Sequence, residues 1–180
     1  AIQVGLVGSE MCIRDSSMVR DVMAQPHRLI GMIQSRDDSE DDKLFDVGCA
    51  GRISSYSETD DGRMLITLSG TSRFRLLDCD DGAAGYRLAS VSWSEFKSDL
   101  VPCETEICRD HLIDVLRNYF KLKGFTVDWE HIQNCEDERL VSTLSMICPF
   151  EVPEKQALLE SVDLTSRAEL LIAILEMASH

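Results

Sequence analysis

The sequence lacks long apolar runs, closely paired cysteines and an excess of positive charge. No stretch approaches the ~20 apolar residues that a membrane-spanning helix requires, so we expect no membrane partner. Its 18 lysine and arginine residues are outnumbered by 32 aspartate and glutamate residues, which gives a net charge of -14 at pH 7. Because phosphate contacts rely on clustered basic side chains, this charge disfavours nucleic-acid binding.

The sequence also lacks the common signatures of catalysis. There is no Walker-type phosphate loop and no Gly-x-Ser-x-Gly elbow. Four histidines occur, and none has an accompanying nucleophile and carboxylate in a recognised pattern. We therefore assign no catalytic residue and no cofactor.

Seven cysteines are present, but no two form a Cys-x-x-Cys pair. An odd number with scattered spacing does not fit a disulfide framework or a zinc ribbon. Buried free thiols in a reducing compartment are the simplest interpretation, which predicts a cytoplasmic protein.

The best metal candidate is Cys103, Cys108 and His111, with His131 or Cys135 as a further ligand. Cys108 and His111 are three residues apart on a predicted helix and could share a face. The spacing is not that of a structural zinc site. We therefore favour Cys108 as a core thiol and assign no metal.

Residues 17–96 are predicted to form a β lobe. A short helix containing Met18, Val22 and Met23 ends at Pro26. Apolar segments of strand length follow, separated by an acidic loop (residues 37–43), an Asp61-Gly62 turn and a Gly-rich loop. Residues 63–70 and 72–79 are predicted as separate strands, and short connections indicate antiparallel pairing.

Within the second of these strands, arginines alternate with apolar residues. Arg73 and Arg75 could form an anion-binding strand face, but we favour a solvent-facing row, with Phe74 and Leu76 turned inward.

Residues 97–180 are predicted to form a helical lobe, because the spacing of apolar residues changes from every two residues to about every 3.6 residues. The longest helix ends at Gly124 and carries an apolar stripe. Pro153 suits a first helical turn, and Ser166 with Glu169 could form a capping box. A β lobe followed by a helical lobe, without a flexible linker, predicts an α+β fold. The predicted stripes comprise Cys108, Leu112, Val115, Tyr119 and Leu122; Leu140, Leu144 and Ile147; and Ala168, Leu171, Leu175 and Ala178.

Several segments resemble the substrate-binding (LON) domain found at the N-terminus of bacterial Lon proteases and as a stand-alone protein. The most specific are "GTSRFRLL" and "CPFEVPEKQALLE", and the similarity runs in order from Ser17 to about Ala178. The resemblance implies a PUA-like antiparallel β pseudo-barrel followed by a helical bundle. It also implies recognition of polypeptides rather than catalysis. The family-signature positions, which we expect to be structural, are Arg73, Phe74, Pro149, Phe150, Glu154, Lys155 and Gln156.

The first sixteen residues depart from this resemblance. The domain in family members begins with apolar strands rich in Pro and Leu, whereas this chain has "AIQVGLVGSEMCIRDS" at that position. Residues Gly5 to Asp15 match, codon by codon, a translated transposase-adaptor sequence used in DNA library preparation. We expect residues 1–16 to be non-native and residues 17–180 to form the domain, with a β lobe that lacks its first strands.

The leading functional hypothesis is a non-enzymatic, cytoplasmic module that binds unfolded or client polypeptides, or a protease or chaperone partner. The alternative is an N-terminal fragment of a full-length ATP-dependent Lon serine protease. RNA binding, known for other PUA-like folds, is disfavoured by the charge. The sequence leaves the client and the oligomeric state open.

Overall fold

A computed structural model describes residues 2–6, 13–36, 43–60, 64–83, 85–101, 107–125 and 127–179. The chain divides into two compact units between residues 101 and 102. The first unit is rich in β-structure and the second is helical, which confirms the predicted α+β class. No helix in the described part of the chain is long and apolar enough to cross a membrane.

The β unit is a closed five-stranded barrel with the strand order β1-β2-β3-β4-β5. Neighbours pair antiparallel, as expected, except that β1 and β2 run parallel. A short 3-10 helix follows β5 and is called the 3-10 segment below. The elements are β1 (Ile2–Leu6), α1 (Ile13–Met23), β2 (Leu29–Ile33), β3 (Val47–Glu58), β4 (Met64–Asp81), β5 (Arg87–Ser92) and the 3-10 segment (Ser94–Leu100).

Strand β4 is one continuous element of 18 residues where the sequence predicted two strands. Gly70 pairs with Gly51 and Ser72 pairs with Ala50, so Thr71 is an extra residue on β4. A bulge of this kind bends a strand without ending it, which explains why the sequence pattern appeared to break there. The predicted Asp61-Gly62 turn, and the acidic loop apart from Lys43, lie outside the described residues.

Strand β1 occupies the position in the sheet where the sequence analysis predicted that the native first strands are missing. β1 pairs with β2 on one side and with β5 on the other, so it closes the barrel. Strand formation shows only that the backbone of residues 2–6 can adopt this geometry. The foreign origin of residues 1–16 stays a prediction.

Two apolar clusters fill the β unit. In the first, α1 buries Met18, Val19 and Val22 against side chains from β2, β3 and β4. The second surrounds Phe74, which is fully buried. Gly48 is required beside this ring, because a Cβ atom there would lie 2.6 Å from Phe74 Cζ.

The helical unit buries one face of each main helix in a single core. Gly124 ends α2 in the left-handed region at φ 71°, as its predicted stop signal requires. The helices are α2 (Arg109–Lys123), α3 (Trp129–Asn134), α4 (Asp137–Ile147), α5 (Val152–Glu160) and α6 (Leu164–Met177).

Four stripe predictions and one cap prediction are wrong. Cys108, Leu122, Ile147 and Ala178 are exposed, because each lies at or beyond a helix end where the core no longer covers it. The predicted Ser166–Glu169 capping box is also wrong. Helix α6 begins instead after Asp163, whose carboxylate accepts the Ser166 backbone N–H at 2.8 Å.

Candidate functional site

The first signature segment braces the β unit through Arg73. Its Nη2 donates to Asp99 Oδ1 at 2.7 Å, and its Nε donates to Asp99 Oδ2 at 2.9 Å. The Arg73 backbone N–H donates to the same carboxylate at 2.8 Å. The guanidinium also lies 4.8 Å from the Phe96 ring centroid. These contacts hold the 3-10 segment against β4.

For Arg73, this geometry corrects the prediction of a solvent-facing arginine row. The Arg73 side chain is only 6% exposed, and a carboxylate already occupies its donors. A sequence pattern could not show this, because Asp99 lies 26 residues further along the chain.

Arg75 and Trp93 extend the same brace. Arg75 donates to Glu95 with both Nε (2.6 Å) and Nη2 (2.7 Å), and this pair is half exposed. The hydrogen bonds from Arg75 lower the pKa of Glu95 below its usual value. On the opposite side of β4, Phe74 and Trp93 pack in a T-shaped arrangement with their ring centroids 5.8 Å apart.

The second signature segment forms the start of α5. Glu151 donates its backbone N–H to Glu154 Oε2 at 2.8 Å, and its own side chain accepts the Glu154 backbone N–H. This reciprocal pair is a capping box, and Pro153 lies in the first turn. Phe150 is buried just before the helix, whereas Pro149 is exposed.

The remaining residues of this segment differ in burial. Gln156 is buried and donates to Glu160 Oε1 at 2.7 Å, and Lys155 is half-buried. Cys148 is buried, and burial raises the pKa of its thiol to about 11, against a smaller opposing effect of Lys155. Among the signature residues, Arg73 forms a buried ion pair, Glu154 caps α5, and Phe74, Phe150 and Gln156 are buried. A structural role for the whole set, including exposed Pro149, stays a prediction.

The metal candidates are not brought together by the described residues. Cys108 is exposed instead of forming part of the core, and His111 Nε2 lies 3.5 Å from Glu176 Oε1. Cys103 and the side chain of His131 lie outside the described residues. Within the described part of the chain, no three His, Cys, Asp or Glu side chains are placed to hold a metal ion. Of the five described cysteines, Cys148 is buried, Cys49, Cys79 and Cys135 are partly buried, and Cys108 is exposed. The prediction of buried thiols is therefore wrong for Cys108.

Exposed apolar side chains are numerous on both units, a feature that the sequence patterns did not single out. A soluble monomer usually exposes such side chains singly, and contiguous patches mark binding surfaces. On α4, Met146 and Ile147 are adjacent in the chain and 70% and 65% exposed. In the described part of the β unit, the exposed large apolar residues are Tyr56, Leu65, Leu77, Leu88, Trp93, Leu100 and Val101.

The β unit also contains an open cleft of about 520 Å³ beside the start of β2. It lies between the chain that leaves α1 and strand β3, and its lining contains no acidic residue. Arg28 and Arg52 are both exposed at this cleft. Arg28 is held at φ 51°, in the left-handed region that a non-glycine residue rarely adopts. The lining residues are Met23, Ala24, Gln25, Pro26, His27, Arg28, Arg52 and Ile53.

The described residues thus form a β barrel and a helical unit, in which buried polar side chains brace the fold and apolar side chains remain exposed. Residues 8–177 match the family model described as the ATP-dependent protease La (LON) substrate-binding domain. The chain therefore belongs to the LON substrate-binding domain family. The match begins inside residues 1–16, whose origin it does not decide.

Two curated relatives are bacterial proteins named Lon protease. The protein from Azorhizobium caulinodans is 26% identical over 146 residues, covering 79% of this chain and 17% of the relative. The protein from Buchnera aphidicola subsp. Acyrthosiphon pisum is 25% identical over 180 residues, covering 96% of this chain and 22% of the relative. The chain thus spans about a fifth of the length of these relatives.

Two solved structures share the fold. The N-terminal domain of Mycobacterium avium complex Lon protease matches with a TM-score of 0.68 and 15% identity, covering 97% of each chain. A Lon N-terminal domain protein from Xanthomonas campestris matches with a TM-score of 0.67 and 20% identity, covering 96% of each chain. At these identities the likeness shows the fold alone.

Proposed function

We propose that this chain is a cytoplasmic polypeptide-binding module without enzymatic activity of its own, which binds unfolded or client polypeptides. The observation that carries the proposal is the match of residues 8–177 to a substrate-binding domain model. Recognition of this kind needs contact area and hydrogen-bonding groups, and it needs no nucleophile or cofactor.

The surface of the β unit supports this proposal. Unfolded chains differ from folded ones in exposing apolar side chains and unpaired backbone groups. Leu65 is 59% exposed and Tyr56 is 38% exposed, on neighbouring strands and opposite faces of one hairpin. Apolar side chains at these positions can bury part of an extended client without demanding one particular sequence.

The experiment compares one labelled protein in two states. Fluorescein-labelled α-lactalbumin is prepared folded, and separately reduced and alkylated with iodoacetamide so that it stays unfolded. Titration with the full chain, without nucleotide, should raise the fluorescence anisotropy of the unfolded form to saturation and leave the folded form unchanged. Gel electrophoresis of the same samples should show no cleavage. The proposal is wrong if neither form binds, or if both bind equally.

A second candidate is the N-terminal part of a full-length ATP-dependent Lon serine protease. The observation that favours it is the coverage of only 17% and 22% of the curated relatives. Reading the genomic DNA downstream of the codon for His180 separates the two candidates. A stop codon soon after His180 supports a stand-alone module, whereas a Walker motif further downstream supports the protease.

A further inference from the structure

Strand β3 extends well beyond its neighbour β2. The two strands pair only from Leu29 opposite Arg52 to Met32 opposite Cys49. β3 then continues to Glu58. On its other side, Ile53 and residues 55–58 pair with β4, and Ser54 is the extra residue of a bulge. On the β2 side, residues 54–58 therefore have no strand partner among the described residues. They are exposed, and we call this segment the free edge.

Edges of this kind present backbone donors and acceptors to any extended chain that approaches them. Proteins that recognise peptides by strand addition obtain affinity from these backbone bonds, which depend little on side-chain sequence. A module that must accept many unfolded polypeptides would benefit from such sequence tolerance. The side chains of the free edge are small or amphipathic over most of its length, from Ser54 and Ser55 to Tyr56 and Ser57.

The free edge begins at the cleft that contains Arg28 and Arg52. The Ile53 backbone N–H donates to the carbonyl oxygen of Arg28 at 2.9 Å, which joins the cleft to the start of the free edge. Neither arginine forms an ion pair with any described residue, and none of the lining residues is acidic. In a chain of net charge -14, this leaves a local pair of cationic side chains suited to a carboxylate.

The direction of the sheet decides which end of a peptide would meet these arginines. β2 runs antiparallel to β3, and its first residue, Leu29, lies opposite Arg52. A peptide added antiparallel along the free edge would run from beside Glu58 toward Ile53. It would therefore approach the start of β2 with its C-terminal end.

We infer that the free edge of β3 binds the C-terminal segment of a client polypeptide as an added antiparallel strand, and that Arg28 and Arg52 bind its terminal carboxylate. The inference rests on the proposed function and specifies the part of the client that is recognised. Backbone pairing supplies tolerance for sequence, while the carboxylate fixes the register.

The first test alters the peptide and leaves the protein unchanged. A fluorescein-labelled decapeptide of alternating Val and Thr is prepared with a free C-terminal carboxylate and as the C-terminal amide. The acid should bind the full chain at least about tenfold more tightly than the amide, since charged hydrogen bonds to arginine are lost in the amide. An amide peptide with an internal Glu near its end distinguishes a side-chain carboxylate from the terminal one, and it should bind like the plain amide.

The second test examines strand addition itself. Two further acid peptides carry N-methyl groups on the odd or on the even residues, which removes alternate backbone donors. Only one set of donors faces a strand that pairs along a single edge. One N-methylated peptide should therefore lose about tenfold or more in affinity, and the other should bind nearly as the parent. Equal effects of the two patterns would overturn strand addition.

Protein variants complete the design. Arg28→Gln and Arg52→Gln should each weaken binding of the acid peptide severalfold and leave binding of the amide unchanged. Arg139→Gln, an exposed arginine of α4, is the matched control and should change neither. If the acid and amide peptides bind alike, the inference is wrong even when unfolded α-lactalbumin binds. If unfolded α-lactalbumin does not bind either, the proposed function fails as well.

Discussion

Replacement of Asp99 by alanine tests the brace between β4 and the 3-10 segment. The substitution removes the acceptor of two Arg73 side-chain donors and of its backbone N–H. The Arg73 side chain is 6% exposed and that of Asp99 is 18% exposed, so little water can replace the lost carboxylate. Loss of one partner from a buried pair typically costs about 3–5 kcal/mol. We expect about 3 kcal/mol, because part of Asp99 remains accessible to water.

The assay is urea unfolding followed by the fluorescence of Trp93. A Trp129→Phe background removes the other tryptophan, which lies in the helical unit. Trp93 contacts Phe74 and directly precedes the 3-10 segment, so its emission reports on the brace. With a denaturant slope of about 1–3 kcal/mol per M, Asp99→Ala should lower the urea midpoint by about 1–3 M.

The matched control is Glu95→Ala, which breaks the neighbouring but exposed Arg75–Glu95 pair. Its side chains are 39% and 49% exposed, and pairs of this kind contribute little to stability. We expect its midpoint to change barely, if at all. Equal shifts for the two variants, or an unchanged midpoint for Asp99→Ala, would refute the reasoning that burial makes the Arg73 pair the stabilising one.

Three further predictions concern the helical unit and the N-terminus. Burial raises the pKa of the Cys148 thiol to about 11, so Cys148 should resist iodoacetamide at pH 8 while the exposed Cys108 reacts. For the same reason, the protein should lose stability as the pH rises from about 9 to 11. The sign follows because the unfolded thiol releases its proton before the folded one does; rapid labelling of Cys148 in the folded protein would contradict this. Glu154→Ala should cost about 1 kcal/mol in urea unfolding through loss of the capping box, whereas Glu169→Ala, at the box that the structure does not form, should cost little. Replacing residues 1–16 with a family-like "LPLFPL" segment should raise the soluble fraction on expression, and equal fractions would count against the prediction that the β unit lacks its native first strands.

Local patterns predicted most of the secondary structure. Residues 72–79 lie in a strand as predicted, and the stop at Gly124 follows from the conformational freedom of glycine. The errors lie at helix ends and at the bulge in β4. A helical period continues past the point where the core ends, and a bulge interrupts alternation without ending a strand.

The residues of the candidate site were harder to predict from local sequence patterns. Arg73 was identified as a signature residue, but its burial depends on Asp99. Arg28 and Arg52 were not identified at all, because they are 24 positions apart and no motif joins them. The signal that could have found them is the unequal length of the paired strands, which becomes visible only when the register is known.

By itself, the sequence determined the fold class, the order of the two units and the family, because alternation, helical period and family motifs are local properties of the chain. The tertiary structure alone decided which polar side chains are buried, which apolar side chains are exposed, and where β3 extends beyond β2. Those properties depend on contacts between residues distant in the chain. The Arg73–Asp99 pair and the free edge beside Arg28 and Arg52 both arise from such contacts.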